Sequence, residues 1–235
     1  MFGYYGYYLD PTYLLVLIGA ILCIGASAVM NSTFSKYARV RSMSGMTGAE
    51  AAARILGRAG IHDVRIEHVR GSLSDHYDPR SRVLRLSDST YSSDSVAALG
   101  VAAHECGHAI QHDKGYLPLK LRSALVPAAN IGSRLGIPMV LLGVLLGLNS
   151  TLVQVGIWVF ALSVLFQVVT LPVEFNASSR ALAMLQSCGI TGGQETGYCK
   201  KVLTAAAFTY VAAAASSILQ LLRLVLLFGN RRNDD

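Results

Sequence analysis

The chain has 235 residues, of which 52% are apolar and 14% charged. A soluble domain carries about 25% charged residues, so the composition argues for a membrane protein and against an ordinary soluble enzyme. The net charge is +6. Its lysines and arginines flank apolar stretches, and neither paired basic site, Lys200-Lys201 or Arg231-Arg232, is interleaved with aromatics; nucleic acid is not an expected partner.

The first apolar stretch runs from about Tyr13 to Met30, long enough to span a bilayer. No basic residue precedes it, whereas Lys36, Arg39 and Arg41 follow it. This pattern predicts an uncleaved anchor, residues 1–30, with its N-terminus outside. Tyr4, Tyr5, Tyr7 and Tyr8 suit an interfacial aromatic belt.

Residues 31–123 form the largest polar region. Thr47 and Glu50 make a capping box ahead of a short helix that Gly60 ends. Val64–Val69 and Val83–Leu86 suit strands, and Asp75–Pro79 suits a turn. A polar loop then supplies N-caps for a helix from about Val96 to His112. Residues 124–171 hold two expected membrane helices joined at Asn149-Ser150-Thr151. Pro172 is expected to open a separate, more polar helix, Val173–Gln186, followed by a loop, within residues 172–201. A last apolar helix, Val202–Phe228, falls within 202–235.

Lys36, Arg39, Arg41, Lys120 and Arg122 bracket the first polar region, and Arg180, Lys200 and Lys201 mark the second. The positive-inside rule places both regions in the cytoplasm. Four full crossings would leave Arg231 and Arg232 outside, in conflict with the same rule.

The chemistry is carried by His104-Glu105-Cys106-Gly107-His108, an H-E-x-x-H pattern. Histidines at i and i+4 share one face of a helix, which is how two nitrogen ligands reach one zinc ion. Glu105, beside the first ligand, can take the proton of a water that the metal has acidified and pass it to a leaving amine. Cys106 faces away from the histidines and is expected to be a small packing residue. With no C-x-x-C pair among Cys23, Cys106, Cys188 and Cys199, no disulfide framework is expected.

A catalytic zinc site needs a third protein ligand. The position six residues after His108 holds Lys114. His112 lies about 12 Å along the axis from His104, too far to share a tetrahedral site with it. Glu174 stands just past an apolar span, where a cation would explain a carboxylate and so would a helix N-terminus.

Three blocks together resemble the YugP-like neutral zinc metallopeptidases of bacterial membranes: Val101–His112, Ser74–Arg80 and Leu171–Arg180. The resemblance covers nearly the whole chain. It implies a mainly α, multi-pass protein of the bacterial cell membrane, with zincin-like catalytic helices and a small β-sheet. It favours Glu174 as third ligand to one zinc ion with His104 and His108. A more distant likeness to the HtpX-like gluzincins implies an oxyanion-stabilising side chain, for which Arg180 and Tyr210 are candidates. Gluzincins carry an Asp four residues after the ligand Glu; here that position is Ser178, which leaves Asn176 or Asp88 as possible supports for a histidine. By the same likeness, Val83–Leu86 is expected to be an edge strand able to bind an extended peptide.

The expected function is therefore zinc-dependent hydrolysis of peptide bonds in membrane or membrane-proximal proteins, with the lipid bilayer as surroundings. The alternative is a non-catalytic membrane scaffold or assembly factor whose metal is structural. An intramembrane protease of the site-2 type would need an Asp motif in a later span, and a transporter would need paired intramembrane ions; neither is present.

Overall fold

The computed structural model describes residues 10–147 and 149–229. Tyr4, Tyr5, Tyr7, Tyr8, Arg231 and Arg232 lie outside the described residues. The elements in chain order are α1 (Tyr13–Tyr37), α2 (Gly48–Arg58), β1 (Arg65–Val69), β2 (His76–Asp78), β3 (Val83–Ser87), α3 (Val96–Asp113), α4 (Leu117–Leu145), α5 (Ser150–Ser187) and α6 (Gly193–Phe228). The protein is mainly helical with a small three-stranded sheet. Among the described residues four helices, α1, α4, α5 and α6, are long and apolar enough to cross a membrane.

Several helix ends differ from expectation: α1 runs past Met30 to Tyr37, and α4 begins at Leu117, ahead of residue 124. Pro172 opens no new helix: α5 runs through it for 38 residues. A proline removes one backbone donor, but an apolar helix keeps its remaining hydrogen bonds, because lipid offers its backbone no other partner. The second loop is also shorter than expected, since α6 already begins at Gly193.

The chain folds into two compact units. One comprises residues 10–25, 125–168 and 212–229. Here α4 and α5 pack through glycines. A Cβ on Gly136 would stand 2.8 Å from Phe160 Cα, and one on Gly156 would stand 2.9 Å from Val140 N. Small residues let two backbones approach this closely, which is how helices associate where lipid removes the hydrophobic drive. Val140, Val153, Ile157, Phe160, Val164 and Leu224 form the buried cluster of this unit.

The other unit comprises residues 26–124 and 169–211. Thr47 caps α2, accepting from Glu50 N while the Glu50 side chain accepts from Thr47 N at 2.8 Å, so the capping box forms as the residue types dictate. Ser95 caps α3 in the same manner through Ala98 N. The sheet has the order β1-β3-β2, with β1 parallel and β2 antiparallel to β3. This corrects the edge-strand expectation. β3 is central and bonded on both sides, and Val83, Leu84 and Leu86 are fully buried. The free edges belong to β1 and β2. The strand β2 occupies the stretch expected to be only a turn, and Asp75 ties its start to β3 by accepting from Ser87 N and Ser87 Oγ, both at 2.8 Å.

The core of this unit joins Ile55 of α2, Leu84 and Leu86 of β3, Leu99 and Cys106 of α3, Leu185 of α5 and Val202 of α6. Fully burying one such Leu or Ile side chain contributes about 1.5–3 kcal/mol. One face of α3 is thereby anchored, which orients the opposite face, the one bearing the histidines.

The glycine contacts yield a test. Gly136→Val forces its new side chain onto the Phe160 backbone, and overpacking of this kind costs about 1–3 kcal/mol. A lower thermal midpoint in detergent is expected for Gly136→Val, and an unchanged midpoint would show that α4 and α5 do not pack through this glycine.

Candidate metal centre

The helix α3 places His104 and His108 one turn apart on a common face, their rings edge to face with centroids 4.8 Å apart. The helix α5 delivers Glu174 opposite them. Glu174 Oε2 lies 3.2 Å from His104 Nε2 and 3.5 Å from His108 Nε2. The Glu174 side chain is almost completely buried.

This meeting depends on residue 107. A Cβ at Gly107 would stand 2.5 Å from the Ala177 carbonyl oxygen and 3.1 Å from Ala177 Cα. Only glycine lets α3 and α5 come this close. Gly107 precedes His108 by one residue, and Ala177 follows Glu174 by three, so the contact lies one turn at most from every donor.

The donor set fits a zinc ion. Among the described residues, His104, His108 and Glu174 are the group whose ligand atoms all lie within 4.8 Å of one another. Donors about 2.0–2.1 Å from zinc in a tetrahedron stand roughly 3.3 Å apart, which the two carboxylate–imidazole separations match. Nitrogen and carboxylate oxygen are donors that zinc accepts. The other ring nitrogens are supported. His104 Nδ1 is 3.1 Å from Ser178 Oγ, and His108 Nδ1 is 3.1 Å from Gln111 Oε1.

The electrostatics also call for a cation. Burial works against a charged His108, but the Glu174 hydrogen bond and the Glu105 and Glu174 charges outweigh it, holding its pKa above the ordinary histidine value. The Cys106 thiol is pushed well up, first by burial and then by Glu105, and Sγ lies 3.7 Å from the Ala52 carbonyl on the far side of α3. Cys106 is thus a packing residue, and all four cysteines are free.

Glu105 is buried and lines a cavity of about 240 Å³ together with His104 and Tyr210. Tyr210 also lies beside Glu174. Arg180 is not brought to this cavity. Its Nε donates to Asn176 Oδ1 at 2.7 Å, and its guanidinium lies over the Tyr116 ring. His112 is held by the Tyr77 hydroxyl at 2.9 Å, apart from the donor set. Asp88 bonds His68 and the Gly71 amide, so it supports neither metal-facing histidine.

Three neighbours, Ser178, Gln111 and Arg122, were not assigned to the site from sequence, and Asn176, a candidate histidine support, reaches His108 only through Gln111. Ser178 takes the support position where gluzincins have Asp. Gln111 and Asn176 bond each other, and Arg122 Nη2 lies 3.9 Å from Glu174 Oε1. Gln111 had a readable signal: it lies three residues after His108 and seven after His104, on the ligand face. Arg122 had none, since its charge is equally a topology signal.

Residues 12–229 match the protein family described as "Putative neutral zinc metallopeptidase", and the chain belongs to that family. It is also similar to the protein named "Putative membrane protease YugP" of Bacillus subtilis (strain 168). The two are 47% identical over 214 residues, covering 91% of this chain and 95% of the relative. No solved structure matches. The chain is thus a membrane protein of a zinc-metallopeptidase family.

Two outcomes check this geometry. Gly107→Ala is expected to lower both zinc content and thermal midpoint, whereas Cys106→Ala keeps its zinc; metal analysis of purified protein separates them. Acidification is expected to release zinc, because the raised His108 pKa keeps a proton on the ring to higher pH than usual and zinc needs that nitrogen bare. Zinc uptake below that pKa therefore liberates a proton, which calorimetry in buffers of different ionisation enthalpy measures.

Proposed function

We propose that this protein is a zinc-dependent membrane endopeptidase that hydrolyses peptide bonds of membrane or membrane-proximal proteins. The observation that carries the reading is the convergence of His104, His108 and Glu174 beside a cavity that Glu105 also lines. One zinc ion held by these three donors would acidify a water molecule and polarise a substrate carbonyl.

The chain's own groups do the rest. Glu105 accepts the proton of the attacking water and returns it to the departing amine. Tyr210, on α6, donates its hydroxyl hydrogen to the carbonyl oxygen as negative charge develops there. Arg180 was the other candidate for that role, but Tyr210 lines the cavity and Arg180 does not. The hydrogen-bonded Nδ1 atoms hold both imidazoles with Nε2 toward the metal position.

The cavity also suggests the substrate. Away from the donors its walls are Val101, Val202, Leu203 and Ala206, with Met30 and Leu73 completing the apolar part. Among the described residues, no Lys or Arg lines it. An apolar side chain next to the scissile bond fits this surface, and an acidic one would be left unpaired beside Asp75 and Glu105. The basic residues around both polar regions, among them Lys36, Arg39, Arg41, Lys200 and Lys201, support a cytoplasmic catalytic region. The protein's site chemistry groups it with the gluzincins.

The test uses the full chain in lipid nanodiscs with zinc and a set of fluorogenic peptides. Wild type is expected to cleave peptides bearing an apolar residue at the scissile bond. Glu105→Gln is expected to keep its zinc and lose about 100-fold or more of the rate, the usual contribution of a general base. Cleavage by Glu105→Gln at the wild-type rate would contradict the mechanism. Glu174→Ala is expected to lose zinc and activity together.

A further inference from the structure

Behind His108, on the side away from the metal position, a chain of polar side chains runs from Gln111 through Asn176 to Arg180. Gln111 is fully buried on α3. Its Nε2 donates to the Val173 carbonyl at 2.8 Å and to Asn176 Oδ1 at 3.0 Å. Arg180 Nε donates to that same Asn176 Oδ1 at 2.7 Å. Gln111 Oε1 faces His108 Nδ1 at 3.1 Å.

The direction of every hydrogen bond in this chain is determined by its ends. A guanidinium can only donate, so Asn176 must present its oxygen to Arg180. A backbone carbonyl can only accept, so Gln111 must turn its NH2 toward Val173 and Asn176. The Gln111 oxygen is then left toward His108, and it can only accept. His108 Nδ1 must therefore carry the hydrogen. In the neutral ring that leaves Nε2 with a bare lone pair aimed at Glu174 Oε2, itself an acceptor.

His104 lacks such a constraint. Its Nδ1 partner is the Ser178 hydroxyl, which can donate or accept. The two ligands thus differ, one in a tautomer imposed by its surroundings and one free to adjust.

We infer that Gln111 is the positioning residue that commits His108 to metal ligation, and that Asn176 and Arg180 act through it by fixing the orientation of its amide. Arg180 thereby has a role at a distance from the substrate, in place of contact with an oxyanion. The inference rests on the zinc reading of the site, but it concerns metal affinity and needs no peptide cleavage to test it.

The experiment is zinc titration of the metal-stripped full-length protein in nanodiscs, with thermal midpoints of the metal-free forms recorded alongside. Gln111→Leu removes the acceptor and is expected to weaken zinc binding about 10–100-fold, the usual effect of losing such a partner. Asn176→Leu is expected to weaken it in the same direction. Asn176→Asp keeps an acceptor oxygen for both Gln111 and Arg180, and is expected to bind zinc as wild type does. A purely structural role would lower the metal-free midpoint without separating Asp from Leu at position 176. Wild-type affinity in Gln111→Leu, or equal weakening by both position-176 variants, would overturn the inference. Failure of the wild type itself to bind zinc would instead overturn the underlying reading, and this proposal with it.

Discussion

The site depends on one steric fact: the backbones of α3 and α5 touch at Gly107 and Ala177. A side chain at position 107 would meet the Ala177 carbonyl oxygen at 2.5 Å. Every functional contact between these helices is set by that approach. His104, His108 and Gln111 step along one face of α3; Glu174, Asn176 and Ser178 answer them from α5. Moving the helices apart by even one methyl group would break donor separations of 3.2 and 3.5 Å. In return the contact creates a strained electrostatic arrangement. A buried carboxylate faces two imidazole nitrogens, and a proton or a metal cation between them makes the arrangement favourable.

The surrounding unit holds that contact in place. The buried face of α3 packs against Ile55, Leu84, Leu86 and Leu185, and its start is capped by Ser95. Cys106, between Glu105 and Gly107, faces this core with its thiol neutral. The motif therefore divides its five residues: His104 and Glu105 line the cavity, His108 faces Glu174, and Cys106 and Gly107 allow close packing against the core and against α5.

Much of this was legible in the sequence. The H-E-x-x-H spacing brings His104 and His108 onto one face because helix geometry alone puts them together. The Thr47–Glu50 capping box and the Ser95 cap are local, so residue type determines them. Glu174 needed the family resemblance, since its pairing with α3 joins positions 70 residues apart. The less legible features are all consequences of tertiary contact. The central position of β3 depends on β1 pairing in parallel and β2 folding back, neither of which alternation encodes. The unbroken course of α5 through Pro172 reflects an apolar helix with no alternative for its backbone. Arg180 reads as a topology charge and as an oxyanion candidate until Asn176 is seen to hold it.

The measurement that bears most directly on the account is zinc K-edge X-ray absorption of the purified wild-type protein. The account predicts a first shell of nitrogen and oxygen only, at about 2.0–2.1 Å, with the outer-shell scattering of two imidazole rings. A sulfur scatterer at about 2.3 Å would bring a cysteine into the site, and a single imidazole would remove one of the histidines. Either result would contradict a centre built where α3 and α5 meet.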